Sequence, residues 1–361
     1  MCHLTESFTL GVLMVAVFCV SKTMDQSVSL QKTRKSTNLQ YGFYRKKCEK
    51  AEHIVLSTMR KLTSENSETP ALLLRLVFHD CFIRGCDASI LLKDPTNAGQ
   101  SETEATPNLT LKGLEMIDII KQKLENECPG TVSCADILVL AARDGITLMG
   151  GPFYPLLTGR RDSTESFYGD SFQGIPSSED EIRNIVGIFK RKGFSKRETV
   201  ALLGGHSIGS INCSIIQHRV ENFRGTGKPD DTLDDDWLKQ LTSKCNNKQR
   251  HSSQSSSSLL EKSKNNRKTK SNQKLSSSIP MGIMFDLHYF QDVLRGRGLL
   301  FSDQQLMKDP TTADAVRNYA SGDGSDFRID FIQVMAKLSN LGVLTGSQGQ
   351  VRINCSKVNR T

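Results

Sequence analysis

The sequence predicts an all-α, mostly helical protein. Three observations carry the prediction. Apolar residues recur at helical spacing in segment after segment. Helix punctuation stands at their ends, such as Pro70 at a start and Gly150-Gly151-Pro152 at a stop. Runs with the two-residue alternation of a strand are weak, and no internal repeat is present. At 361 residues the chain is long enough to bury a large core.

The elements follow in chain order. Residues 8–20 form a largely apolar run, too short to span a bilayer and suited to the core of a signal peptide over residues 1–23. No other segment is a membrane-span candidate. Residues 24–38 are polar and lead into a domain expected over residues 39–359. Residues 48–62 read as the first helix, with Ile54, Val55 and Met59 inward. Pro70 opens the second. Residues 93–108 are a loop with Pro95, Gly99 and Pro107. Residues 111–125 place Leu114, Ile117, Ile120 and Leu124 on one face, and Cys128-Pro129-Gly130 ends that helix. Ser133 caps a buried helix that runs to residue 149. Residues 179–192, 195–203, 286–295, 311–321 and 325–341 complete the helical set.

The second helix carries the densest chemistry. Residues 72–89 read LLLRLVFHDCFIRGCDAS, with Leu72, Leu73, Leu76 and Val77 as an apolar stripe. Arg75 and His79 stand four residues apart, so one helix face holds both, with Phe78 beside them. In an apolar pocket such a His moves a proton and such an Arg stabilises developing negative charge. Asp80, Asp87 and Ser89 follow around a short loop, and hard oxygen donors at such spacing suit calcium. A hydrogen-bonded core histidine explains His79 alone. It does not explain the whole run.

Ten cysteines are too many for an ordinary cytosolic protein. Cys2 and Cys19 lie in the N-terminal apolar region. The other eight form an even set that fits a disulfide framework, although sequence alone leaves on the order of a hundred pairings open. The net charge of +8 is concentrated rather than spread. Residues 246–278 are rich in Ser, Lys and Asn and hold eight Lys or Arg against Glu261 alone, so the rest of the chain is close to neutral. This low-complexity insert cannot bury a core. The basic pI therefore says little about the folded body, and nothing in it points to nucleic acid.

A second constellation lies in residues 199–213, TVALLGGHSIGSINC. Gly204 and Gly205 ahead of His206 would let backbone come close to a flat ligand. The same letters fit another chemistry. Gly205-His206-Ser207-Ile208-Gly209 matches G-x-S-x-G, the nucleophile elbow of serine hydrolases. That reading requires TVALL as a strand in a parallel sheet, with an Asp and then a His downstream. His218, His251 and His288 are available; the flanking segments read as helices, so the sheet is not.

Together the two constellations resemble the plant secretory peroxidases, the class III haem peroxidases, over about residues 39–359. The resemblance implies a haem peroxidase fold, with haem b between a distal and a proximal helical half. It implies four disulfides: Cys48–Cys128, Cys81–Cys86, Cys134–Cys355 and Cys213–Cys245. Arg75, His79 and Asn108 match the catalytic set, with Arg75 the transition-state stabiliser and Asn108 holding His79 from behind. His206 matches the axial iron ligand, Asp303 the carboxylate that orients it, and Phe78 a haem-pocket aromatic. Glu102 matches the link towards a distal calcium, whose ligands would be Asp80, Asp87, Ser89 and the backbone of Ile83 and Gly85. Pro176 matches the proline near the haem edge where small donors dock.

The sequence departs from the family on the proximal side. Ser207, Asp286 and the Met284 backbone match proximal calcium ligands, but Ser278 stands where an Asp is expected and Met281 where a Thr is expected. Methionine is a soft ligand and a poor partner for calcium. The expectation is a weak or absent proximal calcium. Tyr154 replaces a common Trp, which leaves Trp237 as the sole tryptophan. Of four Asn-x-Ser/Thr triplets, at Asn108, Asn212, Asn354 and Asn359, the first is expected to carry no glycan because Asn108 should be buried. The resemblance implies a secreted, monomeric enzyme of the cell wall or vacuole, without nucleic-acid partners, that reduces hydrogen peroxide and oxidises phenolic donors by one-electron steps. Peroxide catabolism and the response to oxidative stress follow from that chemistry. The basic insert would hold acidic wall polysaccharide. The alternative is a catalytically impaired wall-binding protein that keeps the fold.

Overall fold

Most of the helices follow in the order that the apolar stripes predict, and those at Tyr168–Gly174, Cys213–Glu221, Asp235–Asn246 and Phe301–Gln304 are additions to that set. The structure, a computed structural model, describes residues 38–93, 100–246 and 278–360. The expected signal segment and almost all of the basic insert lie outside the described residues. One compact unit spans Leu39–Thr361.

Helix α1 (Ala51–Glu65) buries Val55 and Met59 as its periodicity predicts. Helix α2 (Thr69–Ile83) has Pro70 in its first turn, where a missing N–H costs nothing. Helix α3 (Leu114–Glu127) follows. In helix α4 (Cys134–Leu148) the Ser133 hydroxyl accepts the Asp136 N–H, the expected cap. The α2–α4 contact is the most extensive between helices, and α1 also packs on α4. A short helix α5 (Tyr168–Gly174), α6 (Ile182–Arg191) and α7 (Lys196–Leu203) lead to the second constellation. Ser195 and Glu198 close a capping box at the start of α7.

Strand β1 (Ile208–Asn212) leaves that turn, followed by α8 (Cys213–Glu221) and α9 (Asp235–Asn246). Strand β2 (Ser278–Ile283) returns antiparallel to β1, pairing Gly209 with Gly282 and Asn212 with Ser278. This is the single named sheet among the described residues, and the sequence did not signal it. Helices α10 (His288–Leu294), α11 (Phe301–Gln304), α12 (Pro310–Ala320) and α13 (Ser325–Ser339) complete the chain.

Two apolar clusters organise these elements. The larger is continuous from α1 through α13 and contains Leu76, Phe82, Phe290, Phe327 and Phe331. The smaller gathers Ile211, Ile216, Leu241 and Ile279 around the sheet, α8 and α9. The rings of Phe285, Phe290, Tyr319, Phe327 and Phe331 meet at centroid distances of 4.5–5.7 Å. Such ring pairs add about 0.5–1.5 kcal/mol each beyond area burial. All four expected disulfides are present: Cys48–Cys128, Cys81–Cys86, Cys134–Cys355 and Cys213–Cys245.

Candidate active site

The face of α2 that carries Arg75, Phe78 and His79 continues the line of Ala71 and Leu74. Both of those residues touch the second constellation. A Cβ on Gly205 would lie 3.2 Å from Leu74, and one on Gly209 would lie 2.7 Å from Ala71. Helical spacing therefore puts Arg75 and His79 one to two turns further along the face that meets the His206 turn.

Hydrogen bonds define the state of His79. Its Nδ1 lies 2.7 Å from Oδ1 of Asn108. The Asn108 amide is oriented by its own Nδ2, which donates to the Glu102 carbonyl at 2.8 Å. Oδ1 is then an acceptor, so His79 carries its proton on Nδ1 and leaves Nε2 bare. Arg75 Nε donates to that Nε2 at 3.3 Å, and the guanidinium is held from the other side by the Thr110 hydroxyl at 2.8 Å. His79 is buried, and burial together with the Arg75 charge pushes its pKa down to about 3. The ring is a neutral base. Arg75 itself is part-exposed, and burial lowers its guanidinium pKa from the usual value.

His206 sits in a short 3₁₀ turn, residues Gly204–Ser207, between α7 and β1. Its Nδ1 is 2.8 Å from Oδ1 of the fully buried Asp303, and its side chain remains 34 % exposed. Asp303 also accepts the Tyr289 hydroxyl at 3.0 Å and the Leu300 N–H at 3.0 Å. Burial alone would raise its carboxyl pKa. The His206 ring and these donors hold it below the usual carboxylate range instead. Nδ1 is committed to Asp303, so Nε2 is the nitrogen left to bind a metal. A fully buried carboxylate behind a part-exposed imidazole is the donor arrangement that haem iron needs. The residues fit the group.

The two glycines before His206 differ in role. A Cβ on Gly204 would overlap the Phe327 ring, so this glycine serves aromatic packing rather than a flat ligand. Gly205 is the one that faces α2.

Comparison with known proteins decides the family. The model described as Peroxidase matches residues 55–322. The Arabidopsis thaliana protein named "Putative Peroxidase 48" is 42 % identical over 334 residues, 88 % of this chain and 82 % of that protein. Peroxidase 1 of the same plant is 37 % identical over 320 residues, 88 % of this chain and 91 % of that one. Peroxidase 3 is 38 % identical over 322 residues, covering 89 % and 92 %. The chain belongs to the peroxidase family. It is a haem peroxidase of the plant class III type, an oxidoreductase that uses hydrogen peroxide.

The hydrolase alternative fails on this peroxidase's geometry. TVALL is the end of helix α7, not a strand. Among the described residues, strand β1 pairs with β2 alone, and antiparallel. The Ser207 hydroxyl is buried and hydrogen-bonds to no histidine. His206 spends its Nδ1 on Asp303.

The distal cation residues fit calcium. Asp80, Asp87, Ser89 and Glu102 are all buried. Ser89 Oγ and Glu102 Oε2 have no hydrogen-bond partner. Burial, with Asp87 and Glu102 nearby, drives the Asp80 carboxyl well above its usual range, and burial lifts Asp87 to about 6 and Glu102 to about 7. Buried acids of this kind call for a cation. No three His, Cys, Asp or Glu side chains form a metal cage among the described residues. Calcium here would therefore draw on two carboxylates, a hydroxyl and backbone carbonyls. One of those carbonyls, Ile83, already accepts Lys192 Nζ at 2.6 Å, which leaves it one lone pair.

The proximal residues do not fit calcium. Ser207 Oγ is buried without a partner, as a ligand would be. Met281, however, packs into the smaller apolar cluster, and Met284 is exposed. Oδ1 of Asp286 is taken by the backbone N–H and the ring of His288.

Pro176 is half-buried just after α5, and Ser302 N donates to the Ser178 carbonyl at 2.9 Å. That bond ties the Pro176 segment to the helix that carries Asp303. Sequence reasoning missed Thr110, Lys192 and Tyr289, and offered His288 only as a candidate for the hydrolase reading. Thr110, two residues after Asn108, had the nearest thing to a signal.

Proposed function

We propose that this peroxidase reduces hydrogen peroxide in the space between α2 and the His206 turn and oxidises small phenolic donors near Pro176. His79 is the general base and then the general acid, Arg75 the stabiliser of developing charge, and His206 the iron ligand. Haem, when bound, supplies the redox equivalents and the site at which peroxide is held. Bare Nε2 of His79 removes a proton from the inner peroxide oxygen and returns it to the outer one, so that water can leave. Arg75 lies against the same Nε2 and meets the negative charge that grows as the O–O bond breaks. Asn108 keeps the His79 proton on Nδ1 throughout. Asp303 makes His206 a more basic ligand.

The observation that carries the reading is the Asn108–His79–Arg75 chain of hydrogen bonds, which leaves one neutral nitrogen aimed at one cation. The distal calcium belongs to Asp80, Asp87, Ser89 and the carbonyls of Ile83 and Gly85. The phenolic donor class, a secreted location in wall or vacuole, and retention on acidic polysaccharide through the basic insert complete the proposal. Four disulfides support an oxidising compartment. No helix among the described residues is long and apolar enough to cross a membrane.

The test is an absorption spectrum of haem-loaded protein before and after one equivalent of peroxide, beside His79→Ala. General acid–base catalysis is worth about 10²–10⁴-fold. The wild type should change promptly and the variant slower by about that factor, with haem retained in both. Equal rates would remove His79 from the mechanism.

A further inference from the structure

The proximal side lacks the chemistry to hold a second calcium, yet the acceptors of such a site are gathered there. Something else is bonded to them. The imidazole of His288, the first residue of α10, lies against the Asp286 carboxylate through Nδ1. Its Nε2 is 2.7 Å from the Met281 carbonyl. Both partners are oxygen atoms, so the ring lies between two of the acceptors such a site would use.

Gly282 marks the seat from below. A Cβ there would overlap both the Ser207 carbonyl and the His288 ring. The ring and that carbonyl therefore crowd one small space, which only a glycine at 282 leaves open. Met281, one residue earlier, turns its side chain into the apolar cluster and offers only its carbonyl.

We propose that the His288 ring occupies the seat of the proximal cation. It joins Asp286, the Met281 carbonyl and the Ser207 edge, as a calcium ion would, and makes this a peroxidase with no proximal metal. His288 is a positioning residue. It pins the start of α10, whose next residue, Tyr289, donates to Asp303, and it pins the strand beside Ser207, which adjoins His206. The loss of the Asp expected at Ser278 and the Thr expected at Met281 is then harmless, because no ion has to be held.

The inference uses the reading of His206 as the iron ligand for its consequence, but not for its metal count. The first test is calcium per haem in the purified, calcium-equilibrated protein, by elemental analysis. No more than one is expected, and two would overturn the proposal. The second compares His288→Lys, which keeps an N–H donor, with His288→Leu, which does not. The Leu variant should melt lower by about 4 °C and shift the iron–imidazole stretching band, and the Lys variant should recover most of both. If the Leu variant keeps the wild-type melting point and band, His288 has no such role. A protein that binds no haem fails the reading of His206 instead, and the calcium count still judges His288.

Discussion

Nδ1 of His79 is 2.7 Å from Oδ1 of Asn108, and this bond decides which nitrogen can work as a base. Asn108 is neutral, so it fixes the tautomer without adding charge. Asn108→Asp keeps the shape and adds a negative charge against Nδ1. An opposite charge favours the protonated ring, so the His79 pKa must rise from about 3. The wild-type rate of reaction with peroxide should stay flat as pH falls from 8 to about 4. In the variant an acid limb should appear between about pH 4 and 7, because protonated His79 cannot accept a proton. Stopped-flow rates across that range check it, and superimposable profiles would count against the tautomer argument.

Removing calcium should act through Asp80 and Asp87. With no cation, burial raises both carboxyls, Asp87 to about 6. A folded pKa above the unfolded value gives stability that is present below the unfolded pKa and is lost as pH rises through the folded one. For Asp87 the window is about pH 4 to 6, and a shift of about two units corresponds to roughly 3 kcal/mol. Chelated protein should therefore melt closer to the calcium-loaded protein at pH 4.5 than at pH 7.5. Thermal scans with and without chelator at the two pH values measure the gap. A gap that narrows towards neutral pH would contradict the assignment.

The parts legible in the sequence are those set by local chemistry. Helix α2 was legible because Pro70, the leucine stripe and the Arg75–His79 spacing all obey one helical period. The Ser133 cap of α4 was legible for the same reason. The β1–β2 pair was not. Gly209, Ser210 and Pro280 break any strand pattern, and the pairing joins segments about 70 residues apart. Helices α8 and α9 were passed over because their apolar faces are short and charged residues surround them. Tyr289 looks like one more core aromatic, and only the tertiary fold brings its hydroxyl to Asp303. Lys192 ends α6 as a cap lysine would, and nothing local says that its ammonium reaches the Ile83 carbonyl.

Ser207→Ala should leave the peroxide reaction within about twofold of wild type. The Ser207 hydroxyl makes no hydrogen bond, so its removal strands no partner. The same variant tests the hydrolase elbow, which would lose all activity with its nucleophile. Peroxidase rates and ester hydrolysis measured on both proteins decide it. A collapse of peroxide turnover in the Ala variant would mean that Ser207 holds a ligand after all.

The basicity of His206 is set by competition for one carboxylate. Asp303 receives the His206 Nδ1–H at 2.8 Å and the Tyr289 hydroxyl at 3.0 Å, both on Oδ1. Burial, reinforced by Asp303, drives the Tyr289 hydroxyl pKa well above its usual range, so it remains a donor. Each donor weakens the acceptor strength left for the other. Tyr289→Phe removes one, and Asp303 should then pull harder on the His206 proton. His206 becomes the stronger ligand, and the haem reduction potential should fall. Asp303→Asn does the reverse, because a neutral amide polarises the ring less, and the potential should rise. Tyr289→Phe should cost about 1 kcal/mol of stability, since it removes a single hydrogen bond. Redox titration of the two variants beside the wild type reads the sign directly. Opposite shifts are expected. Shifts of the same sign would mean that Tyr289 only packs against the His206 ring, whose centroid lies 6.0 Å away.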